Sequence, residues 1–485
     1  MSIGSSSRKA GGAAVALRNR RLVRNRADGA IGETPLAGTQ IAADMSPLVV
    51  APPASPLAKA ALGLFIVTLF LPNIYSLGPI NLSPTLILLA IAFIPLLAMC
   101  LLGKPYKIFL PDYLVLGFAF WAVGTRIVLL GASSLEAIGL VLLQTASGYL
   151  FGRVLVRDVA STRFAFGMAV GGVLVMTLPL VLESVTGAKL LLNAASVLGP
   201  TLTPTHMDPR WGLQRAQGAF EHPILLGVFC ASIVSISGYM FRRDGNRVLR
   251  WVGPPAAVVS GVMSFSTGAL LSMNIQFGLM LWGYLFRSVK NRWKILIWLV
   301  IAAYVTVDLL SNRTPFHVFV DYATFNSQSS YNRILIWEFG SAAVMGAPIL
   351  GHGTDDWERP SYMSPSMDNF WLVIAYRYGL VGLALLAAAA LVIIIRMSRR
   401  SGPSEVVDMM RRGAIFSLVG TIVAIVSVHL WNNVYVWFMF VLGAVSWMAR
   451  PESATSELVP DHAPASEPRA RSARELRMAL SRRRA

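Results

Sequence analysis

The chain has 485 residues, of which 55% are hydrophobic and only 14% charged, with a mean hydropathy of +0.59. Soluble domains are about 25% charged, so the excess apolar surface points to a bilayer as solvent rather than to one aqueous core. The formal net charge of +18 would suit nucleic acid, but the placement of that charge along the chain excludes this partner.

Residues 1–55 are basic and then Ala/Pro-rich, with no early apolar core, and are expected to be a disordered cytoplasmic tail rather than a secretory signal. Apolar runs then follow at roughly 57–76, 84–102, 109–130, 136–152, 164–184, 222–241, 251–266, 269–286, 295–310, 369–395, 413–430 and 434–449. Each is near the length that spans a bilayer. The fold class expected is an all-α integral membrane protein of about twelve transmembrane helices. Both termini would be cytoplasmic, and residues 56–449 would form the polytopic domain. Ser264-Phe265-Ser266-Thr267-Gly268 reads as a polar turn between two short helices; one long broken helix is the alternative. The hairpin puts the basic linkers Arg242–Arg250 and Arg287–Lys294 on one side, as the positive-inside rule requires. Lys104/Lys107, Arg153/Arg157/Arg163 and Arg396/Arg399/Arg400 with Arg411/Arg412 fall on that same side. The basic excess is therefore topological, and no nucleic acid is implicated. Residues 450–485 form a second disordered basic tail, with 470–484 as a possible helix on anionic lipid.

Cys100 and Cys230 both fall inside apolar runs and read as small buried hydrophobes. No spacing of His, Cys, Asp or Glu suggests a metal, and no cofactor is expected. The cytoplasmic linkers are too short for a nucleotide-binding domain, whereas two outer loops, 185–221 and 311–368, are long. Short interfacial helices are expected in them. Any group transfer there must use a substrate that arrives already activated.

The first long loop ends Asp208-Pro-Arg210-Trp211-Gly-Leu-Gln-Arg215-Ala-Gln-Gly218-Ala-Phe-Glu221-His222-Pro223. Pro223 suits the first turn of a helix, which sets Arg215 and Gly218 above a helix N-terminus. That end carries partial positive charge and free N–H groups, a setting for phosphate or pyrophosphate. The second loop holds Ser330-Tyr-Asn-Arg333-Ile-Leu-Ile-Trp337, with Ser330 as a helix N-cap, Arg333 as a second outward cation and Trp337 one turn beyond. Gly351-His352-Gly353 permits a tight turn. His352 has the chemistry of a base, and Asp355 and Asp356 could hold a sugar or take a proton. Asp368 reads as the N-cap of the long helix after Asn369, and Arg377 lies two and a half turns in, where a charge needs a cavity or a partner. Asp308, Glu183 and Glu338 are the partners open to it.

These stretches together resemble the bacterial O-antigen ligase/polymerase superfamily. They are Arg215-Ala-Gln-Gly218 through Pro223, Ser264-Phe-Ser266-Thr-Gly268, Arg333-Ile-Leu-Ile-Trp337, Gly351-His-Gly353, and Asp368-Asn369-Phe-Trp with Arg377-Tyr-Gly379. The resemblance implies action on oligosaccharide linked through pyrophosphate to a polyprenyl carrier, on the periplasmic face of the inner membrane, without a metal. It makes Arg215 and Arg333 the arginines that engage pyrophosphate. Arg215, Arg333, Asp368 and His352 are then the catalytic candidates, and Arg210, Gly218, Asp355, Asp356, Asn369, Arg377 and Trp337 the substrate-binding ones. The ligase branch carries a histidine where this chain reads Met367-Asp368-Asn369, which favours a polymerase of the exopolysaccharide or O-antigen type. The alternatives are a ligase acting on lipid A core and, from another class, a lipid-linked sugar flippase. Expected partners are the lipid-linked oligosaccharide and membrane lipid, with a chain-length regulator as a further candidate.

Overall fold

The computed structural model describes residues 55–450, apart from short breaks at 79, 103–107, 132–134, 243–244, 324–326 and 401–403. Both tails, the 470–484 segment and the linker lysines Lys104 and Lys107 lie outside the described residues. The described residues are mostly helical. α1 (Pro56–Thr68) leads through a two-strand antiparallel hairpin, β1 (Tyr75–Leu77) and β2 (Ile80–Leu82), into α2 (Pro84–Leu102) and α3 (Leu110–Leu130). α4 (Leu135–Leu142) continues through a π-helical turn, Leu143–Ser147, into α5 (Gly148–Leu155). α6 (Val159–Thr186), the short α7 (Leu190–Ala195), α8 (Pro223–Met240), α9 (Arg247–Met263), α10 (Thr267–Leu285) and α11 (Arg292–Leu310) follow. The second long loop folds as α12 (Pro315–Ala323) and α13 (Ser327–Gly346), and α14 (Phe370–Ser398), α15 (Glu405–Ala424) and α16 (Asn432–Val445) complete the chain.

A helix lies at each of the twelve apolar runs. Among the described residues, eight helices are long and apolar enough to cross a membrane: those starting at Pro84, Leu110, Leu135, Val159, Pro223, Arg292, Phe370 and Asn432. α1 has 13 residues, and α9 has 17 and contains Pro254 and Pro255. α10 contains Asn274 and Gln276, and α15 begins with Glu405 and includes Asp408, Arg411 and Arg412.

The chain does reverse between α9 and α10. Gly253 of α9 lies against Ser237 of α8, and Gly261 lies against Cys230, so α9 runs antiparallel to α8. Ala269 of α10 starts beside Gly227, and Gln276 reaches Ser235, so α10 runs parallel to α8. The reversal occurs at Ser264–Ser266, where Phe265 takes a positive φ of 45° and Ser266 caps α10.

Small residues let the central helices touch. Gly152 of α5 faces the Phe440 carbonyl and Ala444 amide of α16, and Gly443 faces the Tyr149 carbonyl. A Cβ on either glycine would collide with backbone, which is the close approach that packing between apolar helices depends on. Buried polar side chains add hydrogen bonds between helices: the Gln276 amide bonds Ser235 Oγ at 2.7 Å and the Ala231 carbonyl at 2.9 Å. Arg153 is paired through two N–H···O bonds with Asp112, at 2.6 and 2.8 Å, and Tyr149 donates to the same carboxylate at 2.6 Å. All three side chains are buried.

Candidate functional site

The site begins where α6 ends. Glu183, buried at that end, accepts from the Gln217 amide at 2.7 Å, the Gly218 amide at 3.2 Å and Lys189 Nζ at 2.9 Å. From the same turn the Ser184 hydroxyl donates to the Gln214 carbonyl at 2.8 Å, and the Ser184 carbonyl accepts from the Gln214 amide at 2.8 Å. Gly218 has φ +60°, and a Cβ there would sit 2.7 Å from Leu180. Gly218 therefore shapes this loop from beneath. With the loop so held, the Ala216 amide bonds the Met263 carbonyl, and Arg215, only 5% exposed, donates its Nε–H to the Ser264 carbonyl at 3.2 Å. Arg210 donates to the Phe265 carbonyl at 2.5 Å. The reversal between α9 and α10 thus aims both guanidiniums, using carbonyls that its own turn leaves free.

Arg333 joins them from α13. Its Nη1 is buried and has no hydrogen-bond partner. The helix starts at Ser327, so Ser330 is an interior residue rather than the N-cap, and Arg333 lies in the second turn instead of the first. Burial, with the charges of Arg210 and Arg333, pushes Arg215 down to about 10. Burial likewise brings Arg333 down to about 10, against the opposing pull of Asp368. Burial also lowers Arg210. Among the described residues, none of the three forms an ion pair. Three cations held this close without a paired carboxylate are disfavoured as they stand, and an anion would relieve all three.

The N-cap of α14 is Asn369, whose side chain accepts from the Leu372 amide at 3.1 Å, not Asp368 as the sequence suggests. The shift of one residue frees Asp368, which accepts from Ser366 Oγ at 2.5 Å and lies within electrostatic reach of Arg333 and His222. His222 went unnoticed as a site residue in the sequence. It caps α8 through Nδ1, which accepts from the Ile224 amide at 3.2 Å, and Pro223 follows as the first helical residue. A histidine just before a proline that opens a helix was the available signal. Burial and the Arg215 charge push His222 down to about 4, so it is neutral at pH 7. With Nδ1 accepting, its ring proton sits on Nε2.

Two other motifs form one structural unit. Gly379, with φ +71° and ψ 176°, breaks the helical path of α14. The carbonyls released there are taken up at once: the His352 amide bonds the Tyr376 carbonyl at 2.7 Å, the Gly353 amide bonds Arg377 at 3.2 Å, and Trp121 Nε1 bonds Tyr378 at 2.8 Å. Gly351, with φ +76°, passes so close that a Cβ would lie 2.6 Å from the Arg377 backbone. The glycines of 351–353 serve contact between two stretches of backbone.

The remaining expected site residues lie outside the arginine cluster. His352 Nε2 is 2.9 Å from the Ala343 carbonyl, and its ring stacks on Tyr376. Asp356 is exposed and paired with Arg359 at 2.6 Å; the bond from Arg359 keeps its carboxyl below the usual range. Asp355 is exposed beside it. Trp337 packs against Phe316 with ring centres 4.7 Å apart and planes tilted by 30°. Arg377 is not paired with any of its three expected partners: Glu183 serves the 217–218 loop, Glu338 lies 3.6 Å from His317, and Asp308 makes no contact with it. Arg377 instead lines a cavity of about 320 Å³ with Arg126, Gln144, His429 and Asn432.

The fold is that of a multi-pass membrane protein in which Arg210, Arg215 and Arg333 gather beside the turn between α9 and α10. Residues 255–387 match the O-antigen ligase family model. The match takes in the 264–268 turn, Arg333, the 351–353 glycines and the Asp368–Gly379 stretch, and starts after Arg215. It supports the resemblance to the O-antigen ligase/polymerase superfamily on independent grounds and indicates a function of that type. No curated protein matches the chain.

Proposed function

We propose that the protein polymerises polyprenyl-pyrophosphate-linked oligosaccharide repeat units at the periplasmic face of the inner membrane. The observation that carries this reading is the convergence of Arg210, Arg215 and Arg333 without an ion-paired carboxylate. A pyrophosphate leaving group gathers negative charge as the glycosidic C–O bond breaks. Fixed guanidiniums in a partly dry site stabilise that charge without reorganising.

In this mechanism an acceptor hydroxyl attacks the anomeric carbon of the donor glycan. Its proton passes to Asp368, the carboxylate released from capping duty. The bond to pyrophosphate breaks, and polyprenyl pyrophosphate departs against Arg215 and Arg333. His222 donates from Nε2 and orients Asp368 or the substrate; its Nδ1 lone pair is engaged with the helix. His352 has no part in the transfer, because its ring braces the 351–353 turn. Nothing supports a flippase. Met367-Asp368-Asn369, which lacks the ligase-branch histidine, favours the polymerase over the ligase.

The test is the size distribution of lipid-linked glycan in a strain lacking this gene. Single repeat units stalled on the carrier are expected. Long chains stranded on the carrier, with none on lipid A core, would replace the polymerase with the ligase.

A further inference from the structure

The cavity of about 320 Å³ that holds Arg377 is distinct from the arginine cluster. Its lining contains two arginines, Arg126 and Arg377, with Gln144, His429 and Asn432, and no aspartate or glutamate. Arg126 belongs to the apolar helix α3 and is only 5% exposed. One of its nitrogens donates to Tyr378 Oη at 3.1 Å, while its Nε is buried with no partner. The Nδ1 of His429 is likewise buried and unpartnered. The Arg377 side chain makes no hydrogen bond or ion pair among the described residues. Two guanidiniums sharing one cavity without a counter-charge are costly at membrane depth unless something completes them.

The backbone around the cavity is irregular as well. The π turn at Leu143–Ser147 supplies Gln144, and the break at Gly379 lies beside Arg377 and Tyr378. Non-helical backbone inside a membrane is tolerated where protein buries it or where it lines a polar cavity. Trp431 forms the wall between the two sites, its ring 6.1 Å from His222 on one side and 5.6 Å from His429.

We propose that this cavity is a second anion site, which holds a phosphate group of the acceptor lipid while Arg210, Arg215 and Arg333 hold the donor pyrophosphate. The assignment of donor and acceptor rests on the group-transfer reading above; the existence of a second phosphate site does not. The phosphate has two possible sources, a second polyprenyl-pyrophosphate-linked repeat unit or a phosphorylated lipid A acceptor.

The experiment is the stoichiometry of polyprenyl pyrophosphate, without glycan, bound to the full chain in lipid nanodiscs. Two equivalents are expected. Arg377→Gln should weaken one of them at least tenfold and leave the other, and Arg333→Gln should do the converse. The Arg377 side chain makes no hydrogen bond or ion pair among the described residues, so this variant stays informative if Arg126→Gln fails to fold. Displacement of one equivalent by phosphorylated lipid A identifies that lipid as the source, and its failure to compete identifies the polyprenyl carrier. A single equivalent in the wild type, or two that Arg377→Gln leaves intact, overturns the second site. Because the readout is binding, it stands even if the deletion strain refutes the polymerase.

Discussion

Arg153 and Arg215 are the same residue type, both buried, and they teach opposite lessons. Arg153, 1% exposed, has a fork of hydrogen bonds to Asp112 and a tyrosine completing the carboxylate. Arg215, 5% exposed, has one backbone carbonyl and two further arginines for neighbours. The first arrangement is self-sufficient and fastens α3 to α5. The second is incomplete, and its incompleteness is what a ligand would use. Burial is common to both arginines; the counter-charge is what separates them.

The comparison is broken most severely by removing one side of the closed pair. Asp112→Asn should strand Arg153 and lower stability by about 3–5 kcal/mol, read as a lower unfolding temperature in detergent; an unchanged temperature would show the pair to be dispensable. At the open site the effect moves from stability to rate. Arg215→Ala or Arg333→Ala should slow polymer formation by about 100- to 1000-fold, as for single charge-stabilising donors elsewhere. The unfolding temperature should stay the same or rise, since a repelling charge is gone. Asp368→Asn should cost about 100-fold in transfer rate, the lower range for a general base, with binding of polyprenyl pyrophosphate retained.

Two smaller effects depend on pH. Arg215 and Arg333 titrate at about 10, so affinity for pyrophosphate should hold through neutral pH and fall as pH rises through about 10. His222 is lowered from 6.5 to about 4, chiefly by burial. A lowered folded-state pKa means that the unfolded chain takes up protons first. The stability contribution of His222 is therefore full above about 6.5 and is lost as pH falls through about 4. His222→Gln should flatten part of that acid-side loss in a thermal unfolding series; an undiminished slope would place the loss elsewhere.

Much of this site could be read from the sequence because its signals are local. Pro223 opening a helix, with Arg215 and Gly218 just before it, needs only neighbouring residues. So does the choice of Arg333, although the helix around it starts at Ser327, four residues before the start that an N-cap at Ser330 implies, at a serine with no distinctive following pattern. Asp368 and Asn369 are adjacent and both suit an N-cap, and propensity could not order them. The docking of Gly351–Gly353 onto the broken helix at Gly379 was illegible for another reason. It joins backbone amides and carbonyls, which any sequence supplies, across a distance that no pattern encodes. His352 looked like a base because histidine chemistry is visible in a sequence, whereas its commitment to the Ala343 carbonyl is not. The Arg126 cavity escaped notice because Arg126 stands far along the chain from Arg377, and only the fold brings them to one space.

The most direct measurement is release of free polyprenyl pyrophosphate from purified lipid-linked repeat units by the wild-type protein and by Arg333→Ala. The arginine site predicts release together with longer lipid-linked glycan in the wild type, and neither in the variant. Release by Arg333→Ala at the wild-type rate would contradict it.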